Sequence, residues 1–368
     1  MPVVRLLWGL AGLTLVGLAV SIGGGTRIAR SVTSPVRMLA ENAGRVAQGD
    51  YRLQVDIPQK DEIGDLATSF NHMVRGLAEK EKIRDLLGKV VSPAIAQRLL
   101  SKKIELGGGD VEVTVLFSDV RNFTALCERR APAEILALIN SYLTRISAVI
   151  EDHDGVIDKY IGDAVMALFG APLAHDDDPL RAVKTAIGMR RALAEFNLEL
   201  AARGLPPLDI GVGINTAMVV AGNIGSPSRM NYTVIGDGVN LASRLEGLTK
   251  HYDVPIIVSE STRNAIPGFV FRELDRVRVK GKTRPVTIYQ PLGADGTLGA
   301  DALSELAGYH AALGYYRAGD LARAHAAFTE LSARPPERRL YEIYLGYVEH
   351  ALRDPPGHGG DGAAIFPH

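Results

Sequence analysis

The sequence predicts an α+β fold for the larger part of this chain, and two observations carry that prediction. Between residues 107 and 290, short apolar runs alternate with long amphipathic segments in the order strand, helix, strand, strand, helix, strand. That βαββαβ order is the split, ferredoxin-like arrangement. Ahead of it lie an uncharged apolar stretch and two segments with helical, heptad-like spacing, so a helical part precedes the sheet.

Composition limits the function classes. The chain has 368 residues, enough for two or three domains, and 46% hydrophobic residues to build cores. A formal net charge of −1 gives no global basic field, so no nucleic-acid partner is expected. Cys127 is the single cysteine, which excludes an intramolecular disulfide and any cysteine-built metal site. A metal would need carboxylates or histidines, donors suited to hard ions such as magnesium or manganese.

The first element is the apolar run "LLWGLAGLTLVGLAVSI", Leu6 to Ile22. As a helix it would span about 25 Å, the short end of a bilayer crossing. Arg5 precedes it, whereas Arg27, Arg30 and Arg37 follow, which by the positive-inside rule leaves the remainder in the cytoplasm. A cleaved signal peptide is the competing reading, with "AVS" as its cleavage site. No disulfide-rich secreted domain follows, so a retained single-pass anchor over residues 4–24, in the cell (inner) membrane, is expected.

Residues 25–80 come next. Ile63, Leu66, Phe70, Met73 and Leu77 step 3, 4, 3, 4, a narrow apolar seam on a helix. Lys80 and Arg84 then occupy seam positions while Ile83, Leu87 and Val90 carry a shifted stripe, a phase break that alters local winding. "AQGDYRLQVDIPQKDEIG" reads as an extended connector between the two helical halves. With Pro35 early in the first helix and "DEIGDLATSFNHM" opening the second, this part resembles a HAMP domain. That resemblance implies a parallel, dimeric four-helix coiled coil relaying signals from the membrane. An ordinary amphipathic helix pair is the alternative.

A connecting helix over 81–106 leads to the glycine run 107–109, taken as a domain boundary. In the domain from 107 to 292, a strand is expected around Val113–Phe117 and a helix from Ala133 to Asp152, with Pro132 suited to its first turn. Two short strands flank "IGD", a helix runs from Pro179 to Ala202, and "LDIGVGIN" is a strand. Residues 300–352 form an alanine-rich helix pair resembling part of a tetratricopeptide repeat. One such unit makes no solenoid, so it is expected to pack on its neighbour. The closing 353–368, rich in glycine and proline, reads as disordered.

Three constellations could carry chemistry. Asp119 ends an apolar strand in "FSDVRNFT", where taken alone it is equally a turn former or a helix cap. Asp163, in "KYIGDAVMALF", is placed at a hairpin tip next to that strand. Two carboxylates brought together repel unless a cation lies between them, so the pair is a candidate cradle for one or two divalent ions. In "NYTVIGDGVNLASRLEG", Asp237 is a natural cap, and Asn240 and Arg244, four apart, share a helical face. A surface arginine paired with a nearby acid is the plain alternative. Lys280 and Lys282 straddle Gly281 before a strand, which is either a phosphate loop or a solvated hairpin.

The chain has no G-x-x-x-x-G-K-[ST] loop, kinase glycine loop, H-E-x-x-H or G-x-S-x-G elbow. Taken together and in order, "FSDVRNFT", "DKYIGDAVMALFG", "YTVIGDGVNLASR" and "KGK" resemble the class III nucleotidyl cyclases from about Val111 to Gln290. The resemblance implies that Asp119 and Asp163 hold two divalent ions, magnesium or manganese. It implies that Lys159 selects adenine and that Lys282 binds phosphate. Asn240 would position the ribose and Arg244 would stabilise the transition state. Asn122, Phe123 and Thr124, in the first loop, would meet the nucleotide.

One position departs from the family pattern: many members carry an aspartate as second base selector, where this chain has Thr233. Lys159 can donate to adenine N1, whereas guanine presents a donor there; Thr233 can donate or accept, so it supports adenine less exclusively. The implied reaction is cyclisation of ATP to cyclic AMP and pyrophosphate in a homodimer, each site taking Asp119 and Asp163 from one chain and Lys159, Thr233, Asn240, Arg244 and Lys282 from the other. Guanylate cyclase activity, and a catalytically silent nucleotide-binding module, are the alternatives. The stimulus, and whether an upstream membrane sensor partners the chain, stay open.

Overall fold

The structure is a computed structural model describing residues 2–90, 95, 106–128, 130–226, 228–279, 285–334, 338–354 and 364–366. The chain divides into two compact units, Met1–Val91 and Ser92–His368.

In the first unit, helix α1 (Pro2–Ile28) runs through the glycines at 23–25 without ending. A π-helical turn, Ala29–Thr33, joins it to α2 (Ser34–Ala47), whose Pro35 occupies the first turn, where a missing N–H costs nothing. The apolar side chains of α1 lie outward, with Trp8 75% and Leu13 74% exposed. The connector is pinned by Asn71 of α3 (Glu62–Val90). Its side chain accepts from Val55 N at 2.9 Å and donates to Val55 O at 2.8 Å, pairing both groups of one residue. Leu39, Val46, Val55, Ala67, Phe70 and Val74 form the core of this unit.

That core takes up Phe70, with Leu77 packed against it, from the seam read from the sequence. Ala67, Phe70 and Val74 turn inward, while Leu66 and Met73, two of the expected seam residues, are each 51% exposed. The helix carries two apolar stripes, and the single chain fills only one. Through the expected phase break α3 stays continuous, with Lys80, Ile83 and Arg84 all exposed.

The second unit is built on one mixed sheet. Its strands are β1 (Gly107–Val120), β2 (Val156–Ile161), β3 (Ala164–Phe169), β4 (Ile210–Ser226), β5 (Arg229–Ile235), β6 (Ile256–Ser259), β7 (Phe269–Val279), β8 (Val286–Ala294) and β9 (Ala364–Phe366). They run in the order β2-β3-β1-β4-β6-β8-β7-β9, with β5 paired to β4. The first four strands, with helices α5 (Pro132–Asp152) and α6 (Asp178–Ala202), are the βαββαβ unit in its ferredoxin-like order. The glycines 107–109 lie inside β1, against Asn223, Gly222 and Ala221 of β4. A Cβ on Gly222 would come 2.1 Å from Gly107 O and one on Gly108 2.7 Å from Ala221 O, so the two backbones approach closely at these glycines.

Alternation along the strands sorts the core into two clusters. Ile210, Val212 and Ile214 face α5 and α6, whose Leu138, Tyr142, Ile146, Ile150, Met189 and Phe196 bury against them. Each such fully buried side chain contributes roughly 1.5–3 kcal/mol. Although α5 is long and apolar enough to cross a membrane, this packing makes it a core helix. The intervening Gly211 and Gly213 turn to the opposite face, beneath α7 (Asp237–Tyr252). A Cβ on Gly213 would meet Glu246 N at 2.1 Å and Ala242 O at 2.3 Å, so α7 lies directly on the strand backbone.

On that second face the sheet continues into the C-terminal helices. Instead of a helix pair there are three: α9 (Ala300–Arg317), α10 (Leu321–Ser332) and α11 (Arg339–Arg353), after the short α4 (Phe123–Cys127) and α8 (Glu260–Asn264) earlier in the unit. Tyr309, Phe328, Tyr341 and Tyr344 share one core with Leu241, Leu245 and Leu248 of α7 and with Leu274, Val277 and Ile288 of the sheet. Arg272 of β7, 3% exposed, reaches Glu305 at 3.1 Å. Ala364–Phe366, within the stretch expected to be disordered, pairs in parallel with Val277–Val279. Residues 355–363 and 367–368 of that stretch lie outside the described residues, as do most of the 81–106 connection's later positions.

Candidate active site

Asp119 is the penultimate residue of β1, opposite Gly211 of β4. The β2–β3 hairpin packs on the other edge of β1, with Ser118 paired to Val165. Its tip is Gly162-Asp163, where Gly162 takes the left-handed φ of +68° that the turn requires. Sheet pairing therefore brings the two aspartates together. Burial raises the Asp119 carboxyl to about 6, helped by the neighbouring Asp163 charge and a hydrogen bond between the two. Two neighbouring carboxylates form a hard-oxygen donor set that fits a divalent cation. Among the described residues there is no cluster of three or more metal-ligating side chains, so the pair stands without a third ligand.

Glu246 of α7 was not singled out from the sequence, yet it lies near this pair. Burial, followed by the Asp119 charge, pushes its carboxyl up to about 7. It reaches that position because Gly211 leaves room: a Cβ there would come 2.7 Å from Glu246 Oε1.

The second grouping is Lys159 and Thr233. Lys159 Nζ donates to Thr233 Oγ1 at 3.1 Å, although 74 residues separate them. Thr233 sits on β5 opposite Gly222, and Lys159 on β2 opposite Met166. Asp158, also absent from the sequence-based candidates, completes the group: Thr233 Oγ1 donates to Asp158 Oδ2 at 2.9 Å, and Lys159 Nζ lies 3.0 Å from the same oxygen.

On α7, Asn240 is exposed and Arg244 half-buried, while Leu241, Leu245 and Leu248 bury into the core. Arg244 Nη1 is buried with no hydrogen-bond partner, a guanidinium nitrogen with capacity for an added acceptor. The expected cap is corrected. Gly236, at φ +154°, is the N-cap, and Asp237 is the first helical residue, where its charge still favours the helix N-terminus.

Asn122 turns the chain from β1 into α4 with a left-handed φ of 58°. Phe123 packs against the core, which leaves its backbone as the part open to a ligand; Thr124 is exposed. Lys282 and Lys280 lie outside the described residues.

Comparison with known proteins identifies two domains. Residues 109–290 match the adenylate and guanylate cyclase catalytic domain, and residues 27–79 match the HAMP domain. The chain carries a class III cyclase catalytic domain. An adenylate cyclase of Anabaena cylindrica is 39% identical over 282 residues, covering 72% of this chain and 55% of that protein. An uncharacterised protein of Mycobacterium tuberculosis is 36% identical over 264 residues, covering 70% of this chain and 45% of that one. The chain thus spans about half the length of the curated relatives it matches. A bacterial light-regulated adenylyl cyclase of known structure, 22% identical, aligns over 68% of this chain and 71% of its own with a TM-score of 0.55. The two share a fold. Asp119, Lys159, Asp163, Thr233, Asn240 and Arg244 all fall within the cyclase domain, on β1, the β2–β3 hairpin, β5 and α7.

Proposed function

We propose that the chain is an adenylate cyclase, forming 3′,5′-cyclic AMP and pyrophosphate from ATP, anchored in a membrane by α1 and regulated through its HAMP domain. The observation that carries this reading is the contact between Lys159 and Thr233, the two base-selecting positions, at 3.1 Å. Their substrate-facing groups match the edge of adenine, an acceptor at N1 and a donor at N6.

Asp119 and Asp163 would hold the divalent ions, which when bound supply the Lewis acidity that lowers the pKa of the ribose 3′-hydroxyl and offsets phosphate charge. Asn240 orients the ribose so that the 3′-oxygen faces the α-phosphorus. The guanidinium of Arg244, with its unpartnered Nη1, stabilises the charge that develops on the phosphates, and Lys282 adds a second cation.

The site is shared between two copies of the chain. Met218 and Ile235 are 61% and 51% exposed, and Val220, which pairs with Ile235, is 37% exposed. With Tyr160 and Ile161 on the hairpin, they make an apolar surface beside Thr233 suited to a second chain. The outward stripe of Leu66 and Met73 in the HAMP domain fits the same two-fold pairing.

The test is direct. The full chain in detergent is incubated with manganese and either ATP or GTP, and the products are identified. Cyclic AMP in excess is the expected result. Cyclic GMP in excess assigns guanylate cyclase activity, and no cyclic product from either leaves a nucleotide-binding module.

A further inference from the structure

Thr233 poses a specific question, because a hydroxyl can serve either base: as an acceptor it suits the adenine amine, and as a donor it suits the guanine carbonyl. The structure assigns to Asp158 the role of a positioning residue that fixes Thr233 as an acceptor and so selects adenine over guanine. This inference rests on the cyclase reading above and deepens it.

The strand geometry is the first support. Neighbours in a regular strand point to opposite faces, so Asp158 and Lys159 should not meet one partner. The β2–β3 register, however, steps from Ile157 opposite Ala167 to Lys159 opposite Met166, leaving Asp158 as the extra residue of a β-bulge. Bulges re-aim side chains and are common beside active sites. Here the bulge brings the Asp158 and Lys159 side chains together at Thr233.

The hydrogen-bond inventory is the second. A threonine hydroxyl has one proton and two lone pairs. Its proton goes to Asp158 Oδ2 at 2.9 Å, and one lone pair receives Lys159 Nζ at 3.1 Å. What remains for a ligand is a lone pair, an acceptor. Lys159 donates once to Thr233 and once to Asp158, at 3.0 Å, and keeps a third proton for the base. The pair thus offers one donor and one acceptor, complementary to N1 and N6 of adenine. Guanine, with its carbonyl and N1–H, meets like against like at both positions.

Burial makes the arrangement hard to escape. The Asp158 side chain is fully buried, and its Oδ1 has no partner. Burial raises its carboxyl, while Lys159 and Thr233 pull it back down. The carboxylate thus depends on these two neighbours for its polar contacts, and turning the hydroxyl away would strip it of one of them.

The test compares ATP with GTP in the full chain, by kcat/KM for cyclisation and by competition of each nucleotide against a fluorescent ATP analogue. Asp158→Leu removes the acceptor at similar size, frees the hydroxyl to donate, and should lower the ATP-to-GTP ratio roughly fivefold to tenfold. Adding Thr233→Asp, an obligate acceptor that needs no neighbour to orient it, should restore the ratio. Should Asp158→Leu not fold, Asp158→Asn carries the test with a smaller fall, because its amide can still accept. An unchanged ratio overturns the proposal. So does a double variant as relaxed as Asp158→Leu, since that would mark a distorted pocket. If the wild type forms no cyclic product, the cyclase reading fails while the binding ratio still decides the role of Asp158; wild-type binding without preference for ATP overturns that role too.

Discussion

Asp119 and Asp163 are neighbours where the end of β1 meets the β2–β3 turn, and burial together with the Asp163 charge raises the Asp119 carboxyl to about 6. Asp119→Asn or Asp163→Asn should therefore abolish metal-dependent cyclisation, by about a hundredfold or more, without weakening the fold. In EDTA at pH 7.5 each variant should melt no lower than the wild type, because a like-charge contact has been removed. Near-normal activity with manganese would sink the assignment of these residues to metal.

Close packing of α7 on β4 makes a second prediction. A methyl group on Gly213 would collide with backbone atoms of Glu246 and Ala242, which cannot swing aside. Gly213→Ala should cost about 1–3 kcal/mol and lower cyclisation by displacing Asn240 and Arg244. Gly247, on the same helix, has open space around its Cβ position. Gly247→Ala should stabilise by up to about 1 kcal/mol through helix propensity. Thermal melts of the two variants check both signs, and equal shifts would contradict the packing described.

The α9 contact with the sheet should respond to pH. His310 Nε2 accepts from Glu273 N at 3.1 Å, which it can do only when neutral. Burial lowers the His310 pKa from the usual 6.5, partly opposed by Glu273. A depressed histidine leaves stability intact above the unfolded value and erodes it as pH falls below about 6.5. His310→Gln keeps an acceptor that does not titrate. The fall in melting temperature between pH 7.5 and pH 5.5 should then be smaller in the variant by roughly 2–4 °C, for a bond worth about 1 kcal/mol. An identical fall in both proteins would exclude His310 as a contributor.

The sequence revealed residue types and order better than it revealed facing. The motifs around Asp119, Lys159, Asp163, Asn240 and Arg244 were legible because strand, turn and helix order placed them on elements that the chain does form. Asp158 was hidden because regular alternation points it away from Lys159, and only the bulge reverses that. Glu246, two residues from Arg244, belongs to a different helical face; the alternating glycines of "LDIGVGIN" were the available sign of a helix pressed on that strand. In α3, Ala67 and Val74 are as apolar as the seam residues named in their place, so spacing alone could not tell the stripe filled within one chain from the one left outside. The third C-terminal helix went unread because Pro335 and Pro336 separate it from the alanine-rich pair.

The last prediction concerns the proposed sharing of each site between two chains. An Asp119→Ala homodimer lacks a metal ligand in both sites, and an Arg244→Ala homodimer lacks the guanidinium in both. In a heterodimer of the two, one site carries both lesions and the other carries neither. Activity should therefore return when the inactive proteins are co-expressed. Random pairing makes half of the dimers mixed, with one sound site of two, so the ceiling is about a quarter of wild-type activity. Differently tagged chains and tandem purification isolate the mixed species, whose activity should approach half. If purified heterodimers stay as inactive as either parent, Asp119 and Arg244 do not serve one site from opposite chains.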